Sequence, residues 1–394
     1  MFIEIIIGIL LGILAGTFTG LIPGIHVNLI SLLIVAYIWP YSSNFPATII
    51  IFFILSMSIT HTFLSTIPSI FLGAPDAATA LSVLPGHKML LEGKGLEAMK
   101  LTIIGSFFGL ASGFITYFVA TNLLISHYES FTSLIDEILI VASLFIILSN
   151  KKIFWAVLVF ISSATLGKIV LDSNLENPLF PLLTGFFGIA TLLFSIQNVS
   201  SIPMQKNGFV EISGKNLFSS GILGSLSGLI TGVLPGLGSS TAAAIGSTLK
   251  PDKDAKGFLI MIGAISTANF FISIAALHAI NKARNGAIIA VKEMFAINEY
   301  LLLLLVCIIS GGVAGLIAIS VSKHFLRFIT KINYRKLVIF VIIFLCGMTI
   351  ILSGMSGFFI MVIAIIIGLV ANRKGITKNT MMACILVPVL IYFL

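Results

Sequence analysis

Gly12-Ile-Leu-Ala-Gly16-Thr-Phe-Thr-Gly20-Leu-Ile-Pro23-Gly24-Ile-His26-Val-Asn28 interrupts a long apolar run near its middle, and a version of it returns as Gly224-Ser-Leu-Ser-Gly228-Leu-Ile-Thr-Gly232-Val-Leu-Pro235-Gly236-Leu-Gly238-Ser239-Ser240-Thr241. Seven of the thirteen positions from Gly12 to Gly24 are identical in Gly224 to Gly236. The offset is 212 residues (224 minus 12), which marks an internal repeat. Glycines at every fourth position line one helical face and admit a neighbouring backbone, as small residues do between membrane helices. Pro-Gly then stops the helix, because proline lacks a donor and clashes with the preceding turn while glycine takes backbone angles other residues avoid. Unpaired backbone groups at membrane depth persist only when buried in protein or facing a watery cavity, and matching breaks in two halves of a chain point to a transporter's binding site. The competing reading is that each Pro-Gly is a kink that helps packing.

Composition excludes a soluble globular protein: 58% of the 394 residues are hydrophobic, 9% are charged, and the mean hydropathy is +1.17. The class is an all-α polytopic membrane protein. The net charge of +8 does not call for a nucleic acid, because its Lys and Arg residues lie in short connectors between apolar runs, as the positive-inside rule expects. No basic segment precedes the first apolar run, so a cleaved signal peptide is not expected. Cys307, Cys346 and Cys384 sit singly in apolar runs and read as small hydrophobes, with no metal site or cofactor implied.

Residues 1–86 contain no Lys or Arg, which sets the N-terminus outside. Apolar runs cover roughly 2–22, 27–39 and 47–72, the first two being either one re-entrant hairpin or two spans. After Lys88, Lys94 and Lys100, four further runs alternate with connectors that are acidic (Glu129, Asp136, Glu137), basic (Lys151, Lys152), acidic (Asp172, Glu176) and basic (Lys206, Lys215). In the second half, Lys323 to Lys336 and Arg373 to Lys378 mark connectors on the inner side, and Ser353-Gly-Met-Ser-Gly357 reads as a hairpin turn between two spans. These anchors give a first repeat at 1–204, a cytoplasmic linker at 205–215 and a second, inverted repeat at 216–394, with about 12–14 membrane segments in all. Lys282, Arg284 and Lys292 then lie outside or in a cavity, against the charge rule.

In an inverted pair the breaks point helix N-termini at the midplane from opposite leaflets, where N–H groups and the positive dipole end attract anions. Gly20, Pro23, Gly24, His26 and Asn28 form the candidate site in the first half, with Gly232, Pro235, Gly236, Gly238, Ser239, Ser240 and Thr241 in the second. A second constellation is Thr60-His61-Thr62-Phe-Leu-Ser65-Thr66-Ile-Pro68 followed by Asp76. Shifted by 208 residues, His61 falls opposite Asn269 and Asp76 opposite Arg284. Ionisable groups inside a membrane are costly and functional by default, so Asp76 and Arg284 read as a coupling or charge pair. The bland readings are a satisfied histidine at His61, ordinary packing hydroxyls, and Asp76 as a helix cap with Arg284 in a watery loop.

The Pro-Gly breaks in both halves, Ser65 to Pro68, the small-residue run Asp76 to Ala80, Gly86-His-Lys-Met-Leu-Leu-Glu-Gly-Lys-Gly95, and Ala98 to Ser106 together resemble the large membrane subunit of tripartite tricarboxylate transporters, the TctA family. The resemblance covers residues 1–115 closely and 216–290 more loosely. It implies cation-driven uptake of a small carboxylate anion, with H+ or Na+ as coupling ion, a small membrane subunit and an extracytoplasmic binding protein as partners. The chain departs from the family in its shorter length and in His26 and Asn28, where small residues are usual. Two other functions fit fragments of the sequence: a carrier or flippase for a lipid-linked phosphate, and an intramembrane serine hydrolase built on Gly354-Met-Ser356-Gly357, for which no His follows residue 324.

This topology is checked by single introduced cysteines in intact cells. One near Lys331 is expected to resist an impermeant thiol reagent and one at Ser356 to react; the reverse pattern would invert the assignment.

Overall fold

In the computed structural model, residues 2–23, 25, 27–39, 46–74, 81, 83–132, 135–196, 202–206, 210–233, 239–249, 255–282, 285–294 and 299–394 are described. All regular structure among them is helical. The chain runs α1 (Phe2–Leu21), α2 (Val27–Leu33) continued by a π-helical turn (Ile34–Ile38), α3 (Ala47–Leu64), α4 (Thr66–Phe71), α5 (Val83–Leu91), α6 (Gly95–Thr132), α7 (Ile135–Leu148), α8 (Ile153–Leu171), and α9 (Leu179–Leu183) joined through a π-helical stretch (Thr184–Ile189) to α10 (Ala190–Ser195). It continues with α11 (Gly214–Val233), α12 (Ser239–Leu249), α13 (Ala255–Ile280), α14 (Gly286–Met294), α15 (Tyr300–Ile329), α16 (Tyr334–Lys374), a 3-10 turn (Lys378–Met382) and α17 (Ala383–Phe393).

Seven of the described helices are long and apolar enough to cross a membrane. Their outward faces carry large apolar side chains, among them Leu14, Phe18, Ile115, Ile161, Phe340 and Ile366, each more than half exposed. So much exposed apolar surface suits lipid and not water. The 41-residue α16 is two antiparallel helices: Gly354 takes φ 65°, and Thr349 Oγ1 lies 3.3 Å from Met361 Sδ, a contact a continuous helix would hold about 18 Å apart. The expected turn at 353–357 is therefore present.

Glycines set how closely the long helices approach. A methyl group at Gly12 would lie 2.5 Å from Phe53 O, one at Gly16 2.5 Å from Met57 O, and one at Gly20 3.2 Å from His61 O. Gly224 meets Met261 O at 2.6 Å, Gly228 meets Ile265 O at 3.0 Å and Gly232 meets Asn269 O at 3.4 Å. The partners step through 53, 57, 61 and then 261, 265, 269, an offset of 208 at each contact (261 minus 53). The two halves thus repeat in packing register as well as in sequence.

Those contacts also give direction. Partner numbers rise together along α1 and α3, so the two helices run parallel, and α11 and α13 do the same. A chain that leaves α1 and re-enters parallel to it has to travel back first, which makes α2 and its π-helical turn a returning leg. In the second half α12 is that leg: Gly246 sits against Ser227 of α11, about as far from the break as Ser227 is. α6 relates the halves. Gly105, Gly109 and Gly113 meet Ile260, Ala264 and Phe271, so α13 runs with α6, whereas Phe63 packs on Phe107 and Ile59 meets Leu110 at Gly311, so α3 runs against it. α3 and α13 consequently point in opposite directions.

The helices fall into two sets. α1 to α6 pack with α11 to α15, and α7 to α10 pack with α16, the 3-10 turn and α17; the sets touch where α12 lies on α7 and the 3-10 turn, where α5 lies on the π-helical stretch 184–189 and where His87 of α5 meets Tyr334 of α16. Each set draws on both halves of the sequence. At one end Lys206 N donates to Gly93 O, Gln205 bridges Leu90 O and Gly95 N, and Leu326 lies on Gly95, which gathers three of the basic connectors together. At the other end Asn177 Nδ2 donates to Leu352 O, and Lys282 lies over the Tyr128 ring.

A Gly16→Leu or Gly228→Leu substitution is expected to cost about 3 kcal/mol or more by forcing the helices apart. Gly312, with open space around its Cα, is expected to accept alanine without loss. Thermal unfolding of the detergent-solubilised protein measures both.

Candidate functional site

The break is visible from its flanks. α1 ends at Leu21, Pro23 sits in the turn beyond it, and a new helix begins at Val27; α11 ends at Val233 and a new helix begins at Ser239. Gly24, His26, Asp76, Pro235, Gly236, Gly238 and Arg284 lie outside the described residues. The backbone of Ser240 and Thr241 belongs to the first turn of α12, with Ser239 half-buried at its start.

Just before each break the two halves make the same side-chain contact. Thr19 Oγ1 donates to Gly16 O at 3.2 Å, so it accepts from the Nδ1–H of His61, 3.2 Å away. Thr231 Oγ1 donates to Ser227 O at 3.2 Å and accepts from Asn269 Nδ2 at 3.0 Å. Thr19 and Thr231 correspond at the 212 offset, and His61 and Asn269 at the 208 offset. In each half a side chain on the long helix donates N–H to a threonine on the helix that is about to end. His61 and Thr19 are both buried.

The contacts of α6 set the depth of these pairs. Ile59 and Phe63 meet it at Leu110 and Phe107, and Ala264 and Phe271 at Gly109 and Gly113. His61 and Asn269 therefore fall within about one helical turn, ~5 Å, of a common level near the middle of α6.

Around His61, the sequence-expected Gly20, Ser65 and Thr66 gather. Gly20 packs on Leu64 Cβ and Ser65 N, and Ser65 and Thr66 are buried where α3 passes into α4. Thr66 Oγ1 donates to Phe63 O at 2.9 Å, so its proton serves the helix break. Gly232 and Asn269 pair likewise in the other half. Asn28 goes elsewhere: its Oδ1 accepts from Ala287 N at 3.3 Å, and its Cβ would lie 2.6 Å from a methyl group at Gly286. With Asn285 Oδ1 accepting from Ile288 N at 2.8 Å, it caps α14 and so joins the first break to the second half of the chain.

Sequence reasoning missed Thr19 and Thr231, although both are among the seven identities of the repeat; a hydroxyl inside a glycine pattern reads as packing until its partner is known. It also missed His87. This buried side chain donates Nδ1–H to Ile70 O at 2.9 Å and accepts from Tyr334 OH at 3.0 Å, tying α4 and α5 to the start of α16. Burial lowers its pKa to about 4, with the Ile70 carbonyl opposing and the charge of Lys378 adding to the effect. Ser356 is exposed at the tip of the α16 hairpin, whereas His324, whose Nδ1–H donates to Ser320 O, sits toward the opposite end of the molecule, so the two do not form a nucleophile and base. No group of three His, Cys, Asp or Glu residues able to hold a metal ion occurs among the described residues.

A family model for the tripartite tricarboxylate transporter TctA family matches residues 6–383. An uncharacterized protein of Methanocaldococcus jannaschii is 34% identical over 386 residues, covering 94% of each chain. No solved structure matches.

His87 is neutral in the folded protein, and below its ordinary value of 6.5 the unfolded chain takes up a proton that the folded one refuses. Its contribution to stability is therefore expected to be full above pH 6.5 and to decline as pH falls toward 4. Melting temperatures between pH 7 and 4.5 check this, with His87→Gln showing the shallower decline.

Proposed function

Because the chain belongs to the tripartite tricarboxylate transporter TctA family, we propose that it is the membrane permease of such a system, moving a carboxylate-bearing anion by alternating access with H+ or Na+ as coupling ion. The observation that carries the reading is the pair of equivalent contacts, His61 with Thr19 and Asn269 with Thr231, at one depth beside two broken helices. The opposed directions of α3 and α13 support an inverted repeat, and in such repeats the substrate sits between half-helices at mid-membrane. Gly24, Gly236, Gly238, Ser239, Ser240 and Thr241 would then offer backbone N–H and hydroxyl donors to the carboxylate, with His26 beside them. Asp76 and Arg284 fit a cation-coupling or charge-pairing role near the ends of that cavity. A small membrane subunit and an extracytoplasmic binding protein are the partners this reading implies.

The repeats differ where coupling would require it: an imidazole stands in one half and a neutral amide in the other. His61→Asn copies the second repeat, retains an N–H for Thr19 and removes the titratable group. In proteoliposomes, labelled citrate or succinate is expected to be taken up by the wild type under an imposed H+ or Na+ gradient. His61→Asn is expected to keep substrate binding and lose about tenfold or more of the H+-driven rate. Gradient dependence equal to wild type in both His61→Asn and Asp76→Asn would remove these groups from coupling. A wild type that carries neither acid but moves polyprenyl phosphate would replace the carboxylate reading.

A further inference from the structure

The sequence reading used Lys378 only as a topological marker. The structure draws it inside: at the start of the 3-10 turn Lys378 is 7% exposed, and its Nζ donates to Thr191 Oγ1 on α10. Thr191 gives its own proton to Phe187 O, so it serves the ammonium purely as an acceptor. The ammonium has two more N–H groups, and no carboxylate pairs with it among the described residues.

Two neighbouring polar side chains are already used. Asn150 Oδ1 accepts from Thr377 N at 2.8 Å, while its Nδ2 donates to Ile146 O at 2.8 Å and to Thr380 Oγ1 at 3.2 Å. His87, which feels the charge of Lys378, is occupied on both ring nitrogens. Burial of this ammonium beside one acceptor is unfavourable and lowers its pKa to about 7, and an anion beside it would restore the charged form. The position is also a junction: the 3-10 turn packs on α12, the returning leg of the second break, and His87 links α5 to α16.

We infer that Lys378 and Thr191 form an anion subsite at the junction of the two helix sets, in which a carboxylate oxygen of the ligand pairs with the Lys378 ammonium. The assignment rests on the proposed function only in its choice of carboxylate over other oxyanions.

Binding read without transport separates the two. Purified wild type is titrated with citrate, succinate and inorganic phosphate while its melting temperature and binding heat are followed. Citrate or succinate is expected to stabilise the wild type, and Lys378→Met to weaken that binding tenfold or more while raising the melting temperature of the anion-free protein, because an apolar chain then fills the site. Lys378→Arg is expected to recover part of the affinity. Thr191→Val, which keeps the charge, is a second variant should Lys378→Met fail to fold, and it is expected to weaken binding by a smaller factor. Anion binding without uptake would leave the subsite standing and remove the permease reading. Stabilisation by phosphate alone would overturn the carboxylate assignment. Equal carboxylate affinity in wild type and Lys378→Met, or no stabilisation of the wild type by any of the three, would overturn the subsite, as would unchanged affinity with altered gradient dependence, which would make Lys378 a proton carrier.

Discussion

Parallel helices that touch along their backbones impose most of this architecture. Gly12, Gly16 and Gly20 let α1 lie on the carbonyls of α3, and Gly224, Gly228 and Gly232 let α11 lie on those of α13. A chain can make such a pair only by doubling back between its two members, and in lipid the turn has to occur where other protein covers the freed backbone groups. The Pro-Gly break and its short returning leg follow from that requirement. Asn28 shows the cover being supplied, since it reaches from just beyond the first break to cap α14 in the other half of the chain.

Two such units, opposed in direction, share α6 as a common wall. Because α13 runs with α6 and α3 against it, the end of one unit and the end of the other approach the same level from opposite sides. His61 and Asn269 meet their threonines there. The units are alike in backbone and register yet differ in chemistry, one carrying an imidazole and the other an amide. Packing constrains the first property and leaves the second free, so a repeated scaffold can hold a site whose two walls do different things.

The division of the helices into two sets gives this site a setting. The sets meet over a limited contact, and two buried basic side chains lie there, His87 held neutral by burial and Lys378 without a carboxylate among the described residues.

The sequence by itself determined the elements that rest on local chemistry or on repetition. Proline and glycine together past the end of a glycine-lined run, and glycine between serines at 353–357, mark stops that local chemistry dictates, so both breaks and the hairpin at Gly354 were legible, and periodic glycine foretold close packing. The offset that set His61 opposite Asn269 was readable because the same residues recur in the same order. Tertiary structure alone decided the rest. That α1 runs parallel to α3 depends on which carbonyls the glycines meet, and hydropathy records only that a segment is apolar. Thr19 and Thr231 acquire meaning from partners some 40 residues away (61 minus 19 is 42, and 269 minus 231 is 38). Lys378 was the least legible, because a lysine beside Arg373 and Lys374 carries the pattern of a solvated connector, and only the fold of the 3-10 turn under α10 turns that lysine inward, where water no longer screens its charge.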